Sequence, residues 1–224
     1  DFPYELITGN HESDGHDGAI GTFAHCLPNR LPGSQGTYGT QWYVDVPRDR
    51  PLVRFILISP GIDFPGGQPL DYSQGSNRWR WTESAIDGAR AGNIPWTVVG
   101  MHTPCFSMGD YGCQPGERLT NMLVSENVDL VLTGHQHVYQ RTRQLRLTEH
   151  CPVLVPGEAR DDCVADSDNH LARGRARSLS RSAWAAPGTT TSKPMILRPA
   201  CAPDGLRGGG KWPPLMLARW LPAA

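Results

Sequence analysis

The sequence predicts an α/β fold, and three observations predict it. Stretches with apolar residues at helical spacing are followed by short apolar runs twice in succession, over residues 81–100 and 117–134, which is the signature of helices packed on a largely parallel sheet. Two segments rich in β-formers, "TQWYVDVP" and "PLVRFILISPG", stand on either side of the charged turn "RDR". Three apolar runs, in "ELITGNHE", "PWTVVGMHTP" and "VDLVLTGHQH", each end in glycine with a histidine within two residues. In α/β sheets that carboxyl end of a strand is where ligand sites assemble.

The elements follow in order. "YELIT" at 4–8 predicts a short strand, and the polar, Gly-rich stretch through about residue 22 predicts a loop bearing side-chain chemistry. "TQWYVDVP" and "PLVRFILISPG" predict neighbouring strands, and the turn-forming segment 61–80 predicts a long loop. A helix is expected from "WTESAIDGARAGN", with Thr82 as its cap before Glu83 and Asn93 near its end. "IPWTVVG" predicts a buried strand, "ERLTNMLVSENV" a second amphipathic helix and "DLVLTG" a further strand. No repeat of fixed period is visible.

At 224 residues the chain suits one domain, expected over 1–172, followed by an irregular tail over 173–224. The tail shows no sustained helix or strand pattern and is rich in Arg, Ser, Pro and Gly, which reads as a disordered extension. A sharper reading is that it is the product of a shifted reading frame. "RSLSRSAWAAPG" can be back-translated so that the shifted frame spells V-S-V-S-V-G-V-G-G-T-G, and Trp184 followed by Ala forces one of those glycines. That alternation and its glycines read as a strand and a turn.

Bulk properties exclude some partners. The formal net charge of −1 provides no basic field for a polyanion, and there is no nucleic-acid-binding signature. The longest apolar runs fall well short of the ~20 residues that span a bilayer as a helix, so no membrane span is expected. The six cysteines, at 26, 105, 113, 151, 163 and 201, include no C-x-x-C pair. Cys105 with Cys113 and Cys151 with Cys163 bracket short loops rich in turn formers, suggesting local disulfides and a secreted or extracytoplasmic setting. Buried free thiols are the alternative.

The histidines carry the chemistry. His135 and His137, one residue apart, lie about 200° apart around a helix but on one face of extended chain. Alone, such a pair is as well explained by solvated loop histidines. Together with Asn10 and His102 at the ends of two other apolar runs, it forms a donor set suited to divalent metal. Four neutral ligands leave two dications uncompensated, and a two-metal hydrolase uses a bridging carboxylate, so acidic ligands are missing from this set.

"GNHE", "GMHTP" and "GHQHVYQR" resemble, in order and spacing, the last three motif blocks of the calcineurin-like metallophosphoesterases, closest to the purple acid phosphatase-like branch. The resemblance covers roughly residues 4–165 and implies a β-sandwich flanked by helices. It implies two divalent or mixed-valence metal ions (Fe, Zn or Mn), with Asn10, His102 and His135 on one and His137 on its neighbour. It also implies that His11 protonates or stabilises the leaving oxygen of a phosphate ester substrate; Glu12 reads as orienting His11 or its neighbours, or else as an exposed loop acid. The family's D-x-H and G-D-x-x-[DY] blocks, which supply the carboxylates, do not occur before "GNHE". The chain is therefore expected to be N-terminally truncated, with impaired activity by itself.

The alternative is a non-catalytic exported binding module that retains a partial metal site. Trp79, Trp81 and Trp96 read as packing residues, and Arg141 and Arg143 as a solvated strand edge. His16, His25, His150 and His170 have no matching context.

Overall fold

The computed structural model describes residues 3, 5–13, 20–26, 30–64, 68–168 and 170–180. The α/β expectation is borne out. Two short helices, α1 (Asn10–Ser13) and α2 (Ile20–Cys26), precede the strands β1 (Gln35–Thr37), β2 (Gln41–Val46), β3 (Val53–Ile58), β4 (Asp63–Phe64) and β5 (Gln68–Pro69). Then follow α3 (Asn77–Ala91), β6 (Trp96–Met101), α4 (Glu117–Ser125), β7 (Leu130–Thr133), β8 (Gln140–Arg141), β9 (Gln144–Leu145), β10 (Val164–Asp166) and β11 (Arg177–Ser180).

Seven strands form one mixed sheet in the order β1-β2-β3-β6-β7-β11-β8, and β9 with β10 and β4 with β5 form two-stranded sheets. The centre β3-β6-β7-β11 is parallel, as two successive strand-helix-strand crossovers require, while β1, β2 and β8 run antiparallel to their neighbours. A second large sheet is not found among the described residues.

Strand alternation divides the core. Trp42, Val44 and Leu57 point to one face with Ile7, while Ile56 and Ile58 point to the other, where α3 and α4 bury Trp79, Ile86, Leu119 and Leu123 against Val99 and Val131. Arg54 is buried on that helix-covered face. It pairs with Asp45 of the neighbouring strand through bonds of 2.7 and 2.8 Å, donates to the Ala85 carbonyl of α3 at 2.9 Å, and stacks over Tyr43. Gly88 makes room for it, since a Cβ there would lie 2.8 Å from Arg54 Nη1. Trp79 is buried on this face, as its packing role requires.

Four expectations are corrected. Of the expected strand at 4–8, the described residues 5–8 do not form a regular strand; Ile7 makes a single parallel bridge to Gly39. Side chains take the neighbouring backbone groups, because Tyr38 Oη accepts from Leu6 N and Trp42 Nε1 donates to Leu6 O. The loop at 61–80 contains the small β4-β5 hairpin and the first turn of α3. That helix is capped by Ser76, whose hydroxyl accepts from Trp79 N at 3.1 Å, whereas Thr82 lies inside it and donates to Arg78 O. Finally, the tail is not wholly irregular. Arg177–Ser180 pair in parallel with Leu130–Thr133, guided by Asp129, whose backbone oxygen accepts from Arg177 N. Residues 181–224, most of the expected tail, lie outside the described residues.

Both expected local disulfides form, Cys105–Cys113 and Cys151–Cys163. The second sits in a small buried cluster with Val124, Leu154 and Ala176. Among the described residues no helix is long and apolar enough to cross a membrane.

Candidate metal centre

The parallel register sets the site. Gly100 is level with Leu132 and Met101 with Thr133, so β6 and β7 end together. One step further Gly134 N donates to His102 O at 2.9 Å, which holds the two strand exits side by side. His135 then adopts a left-handed backbone (φ 62°), turning its ring back toward His102. Nε2 of His102 lies 3.1 Å from Nδ1 of His135, and the two rings meet edge to face.

Asn10 reaches the same point from a distant part of the chain. Thr8 N donates to Gly39 O at 2.9 Å, anchoring this segment at the sheet end, and the chain turns into α1 immediately after Gly9. Oδ1 of Asn10 stands 2.8 Å from His102 Nε2. Glu12 fixes the turn: its Oε2 accepts from Gly9 N at 2.9 Å, so it braces the backbone just before Asn10. Gly9 is needed for this approach, since a Cβ there would lie 2.9 Å from the His102 ring and 2.7 Å from Glu12 Oε2.

Three lone-pair donors, one amide oxygen and two imidazole nitrogens, therefore converge. Neighbouring ligand atoms around one ion, at bonds of about 2.1 Å, stand roughly 3.0 Å apart at right angles and roughly 3.4 Å apart in a tetrahedron; the observed 2.8 and 3.1 Å separations are hydrogen-bond distances close to the first value. The protonation chemistry agrees. Burial, followed by the charges of His135, His11 and His137, pushes His102 down to about 3. His135 is lowered by burial and then by His137 and His11. Both rings are thus neutral near pH 7, the form a metal requires. His102 Nδ1 and His135 Nε2 are buried without a hydrogen-bond partner, so nothing in the protein competes for the protons on these rings.

His11 and His137 are exposed, and both lie close enough to lower the two buried rings. Among the described residues no three His, Cys, Asp or Glu side chains converge tightly enough to hold an ion by themselves. The cluster depends on the Asn10 amide, and the anionic ligands that the charge argument requires are not among its members.

This arrangement, two glycine-ended parallel strands delivering two His and a turn after Gly9 delivering an Asn to one point, coincides with a family match. The sequence matches the model described as calcineurin-like phosphoesterase over residues 2–139, more than half of the chain. The chain belongs to the calcineurin-like phosphoesterase family. All six of the sequence-derived site residues, Asn10, His11, Glu12, His102, His135 and His137, fall within the matched segment.

Relatives agree with the family. An uncharacterized protein of Mycobacterium tuberculosis is 30% identical over 175 residues, 72% of this chain and 32% of that protein. Purple acid phosphatase 1 of Ipomoea batatas is 26% identical over 152 residues, 64% of this chain and 30% of that protein. Purple acid phosphatase 23 of Arabidopsis thaliana is 23% identical over 148 residues, 64% of this chain and 30% of that protein. The chain thus spans about a third of the length of these relatives. A purple acid phosphatase from yellow lupin seeds superposes over 80% of this chain and 30% of its own, with a TM-score of 0.49 and 18% identity.

Sequence reasoning missed two residues of this candidate centre. Tyr111 lies over His135, with ring centroids 4.0 Å apart. Gln136, between the paired histidines, is buried with its amide against Gly109, where a Cβ would overlap it. Both contacts belong to the loop closed by Cys105–Cys113. That cysteine pair, whose first member directly follows "GMHTP", was the available signal that the loop is held against the site.

Proposed function

We propose that the protein to which this chain belongs hydrolyses phosphate esters at a dinuclear metal centre, outside the cytoplasm. Asn10, His102 and His135 hold one ion and His137 contributes to its neighbour. The ions, drawn from Fe, Zn or Mn, supply Lewis-acid polarisation of the phosphoryl group and an activated water. The observation that carries this reading is the meeting of Asn10 Oδ1, His102 Nε2 and His135 Nδ1 within 2.8 and 3.1 Å.

The chain's own residues divide the remaining work. The 2.9 Å bond from Gly9 N to Glu12 Oε2 keeps Asn10 aimed at His102. Burial keeps His102 and His135 neutral, so their lone pairs stay available without a proton being expelled first. His11, exposed beside His102 and His135, would give a proton to the departing alcohol oxygen. The two disulfides suit an oxidising compartment.

The test is expression from the complete coding sequence, with turnover of p-nitrophenyl phosphate and of its bis ester measured with and without chelator. Chelator-sensitive turnover that is lost in His102→Ala is the expected result. Turnover indifferent to both treatments overturns the proposal. Absence of turnover together with retained zinc binding would support the non-catalytic binding module. The 224-residue chain alone is expected to show little activity and weak metal affinity.

A further inference from the structure

Exposed apolar side chains are concentrated beside the candidate centre. Among the described residues six large hydrophobics are exposed, and four of them, Met108, Tyr111, Val138 and Tyr139, belong to the two loops that meet at His135. Their exposures are 93, 47, 38 and 62%. The loops are joined: Met108 N donates to Gln140 Oε1 at 2.7 Å, Gln140 Nε2 donates to Ser107 Oγ at 3.3 Å, and the Gln136 amide lies against Gly109. The Cys105–Cys113 disulfide closes the first loop, so Tyr111 is held over the His135 ring and does not swing freely.

Leaving such side chains in water is unfavourable, and exposed apolar side chains gathered on two joined loops beside a polar cluster offer a binding surface. Here it adjoins a cluster suited to a phosphoryl group. The two tyrosines and the methionine offer π faces and a polarisable thioether, the partners an aromatic ring prefers over an aliphatic or sugar group. We infer that Met108, Tyr111, Val138 and Tyr139 form a seat for the organic half of the substrate, selecting phosphate esters of planar aromatic alcohols. This rests on the proposed phosphoesterase reading, because the seat is defined by its position beside the phosphoryl site. Tyr111 and Tyr139 are specificity residues in this assignment and take no part in bond breaking.

Non-hydrolysable phosphonates separate affinity from leaving-group reactivity. Binding of 2-naphthylphosphonate and of methylphosphonate is measured by calorimetry on zinc-loaded protein made from the complete coding sequence, for the parent, Tyr111→Ser, Tyr139→Ser and the double variant. A companion assay compares KM for 2-naphthyl and phenyl phosphate, whose leaving groups have similar basicity. The expected result is naphthyl binding about five-fold tighter than methyl. That preference should fall to within about two-fold in the double variant and should already fall in Tyr139→Ser, where the Tyr111–His135 contact is kept and methylphosphonate binding is unchanged. The single variants guard against one substitution disturbing the loop.

Equal binding of both phosphonates by the parent overturns the aromatic seat while leaving the phosphoryl site intact. Binding of neither overturns both readings. Naphthyl binding that persists undiminished in His102→Ala shows a ring site independent of the phosphoryl site and also overturns the inference.

Discussion

Nε2 of His102 lies 2.8 Å from Oδ1 of Asn10 although 92 positions separate them in the chain. Gly9 permits that approach. Gly9→Ala would push a methyl group to 2.9 Å from the His102 ring. Overpacking of this kind costs roughly 1–3 kcal/mol, and here it also drives Asn10 and His102 apart. Zinc affinity measured by competition with a chromophoric chelator should fall at least about ten-fold, the effect expected when support of a ligand set is lost. Gly21→Ala, where a Cβ meets nothing within 4 Å, is the matched control and should bind as the parent does.

The metal-free chain should lose stability in acid in a particular window. His102 is held down to about 3 in the folded chain, whereas an unfolded histidine titrates near 6.5. Between those values the unfolded state binds the extra proton, so stability rises with pH across the window and falls as pH drops from about 6.5 toward 3. His135, lowered in the same direction, adds to the slope. Urea midpoints of the chelated protein at pH 7.5, 6 and 5 should fall in that order, and His102→Gln should flatten the trend. An unchanged slope in the variant would mean that other groups control it.

Much of this site was legible because its residues stand at strand ends, where glycine and histidine interrupt apolar runs. "PWTVVGMH" and "VDLVLTGH" carry enough pattern to predict both strands and the turn of chain that follows. What the pattern lacks is side-chain direction. The left-handed backbone of His135 and the stacking of Tyr111 on its ring depend on contacts between loops 20 or more residues apart in sequence, which periodicity does not encode. The N-terminal segment misled for the opposite reason. "YELIT" has strand composition, yet Tyr38 and Trp42 side chains bind the Leu6 backbone in place of a neighbouring strand. The start of α3 was obscured because "SNRWR" sits among turn formers, although Ser76 caps it.

Asp129 had no role in the sequence reading, yet it ties three strands together. Its buried carboxylate accepts from Thr97 N at 2.7 Å and from Gly174 N at 2.5 Å, joining the start of β6 to the chain entering β11. Asn in its place keeps one accepting oxygen and sets an NH2 group against the other backbone N–H. Leaving that buried donor unsatisfied costs about 1–3 kcal/mol. Asp129→Asn should therefore lower the urea midpoint by a corresponding amount, while Asp87→Asn, an exposed pair partner of Arg90, should change it little.

The buried pair Cys151–Cys163 should matter to global stability. Its closed loop spans a sequence separation of 12 residues, and constraining a loop of that size in the unfolded chain is worth roughly 3 kcal/mol in the entropic account. Double replacement by alanine also leaves a gap among Val124, Leu154 and Ala176. The variant should melt well below the parent under non-reducing conditions and match it closely once the parent is reduced. Equal melting before reduction would show that the bridge adds nothing.

The strand β11 bears on the reading frame of the tail. It lies between β7 and β8, and Arg177 is buried there, level with Leu130. The Arg177 guanidinium donates to Asp168 O at 2.8 Å, and burying it within a sheet is still costly relative to a β-branched apolar side chain. We propose that the coding sequence shifts frame near codon 172, because the shifted reading across residues 177–180 alternates V-S-V-S, the period-two pattern a strand of this sheet requires. Resequencing the DNA across that codon should reveal an inserted or deleted base. A protein carrying V-S-V-S in place of Arg177–Ser180 should also have a higher urea midpoint than the present chain, since the buried charge is replaced by packing. An intact frame would by itself defeat the proposal.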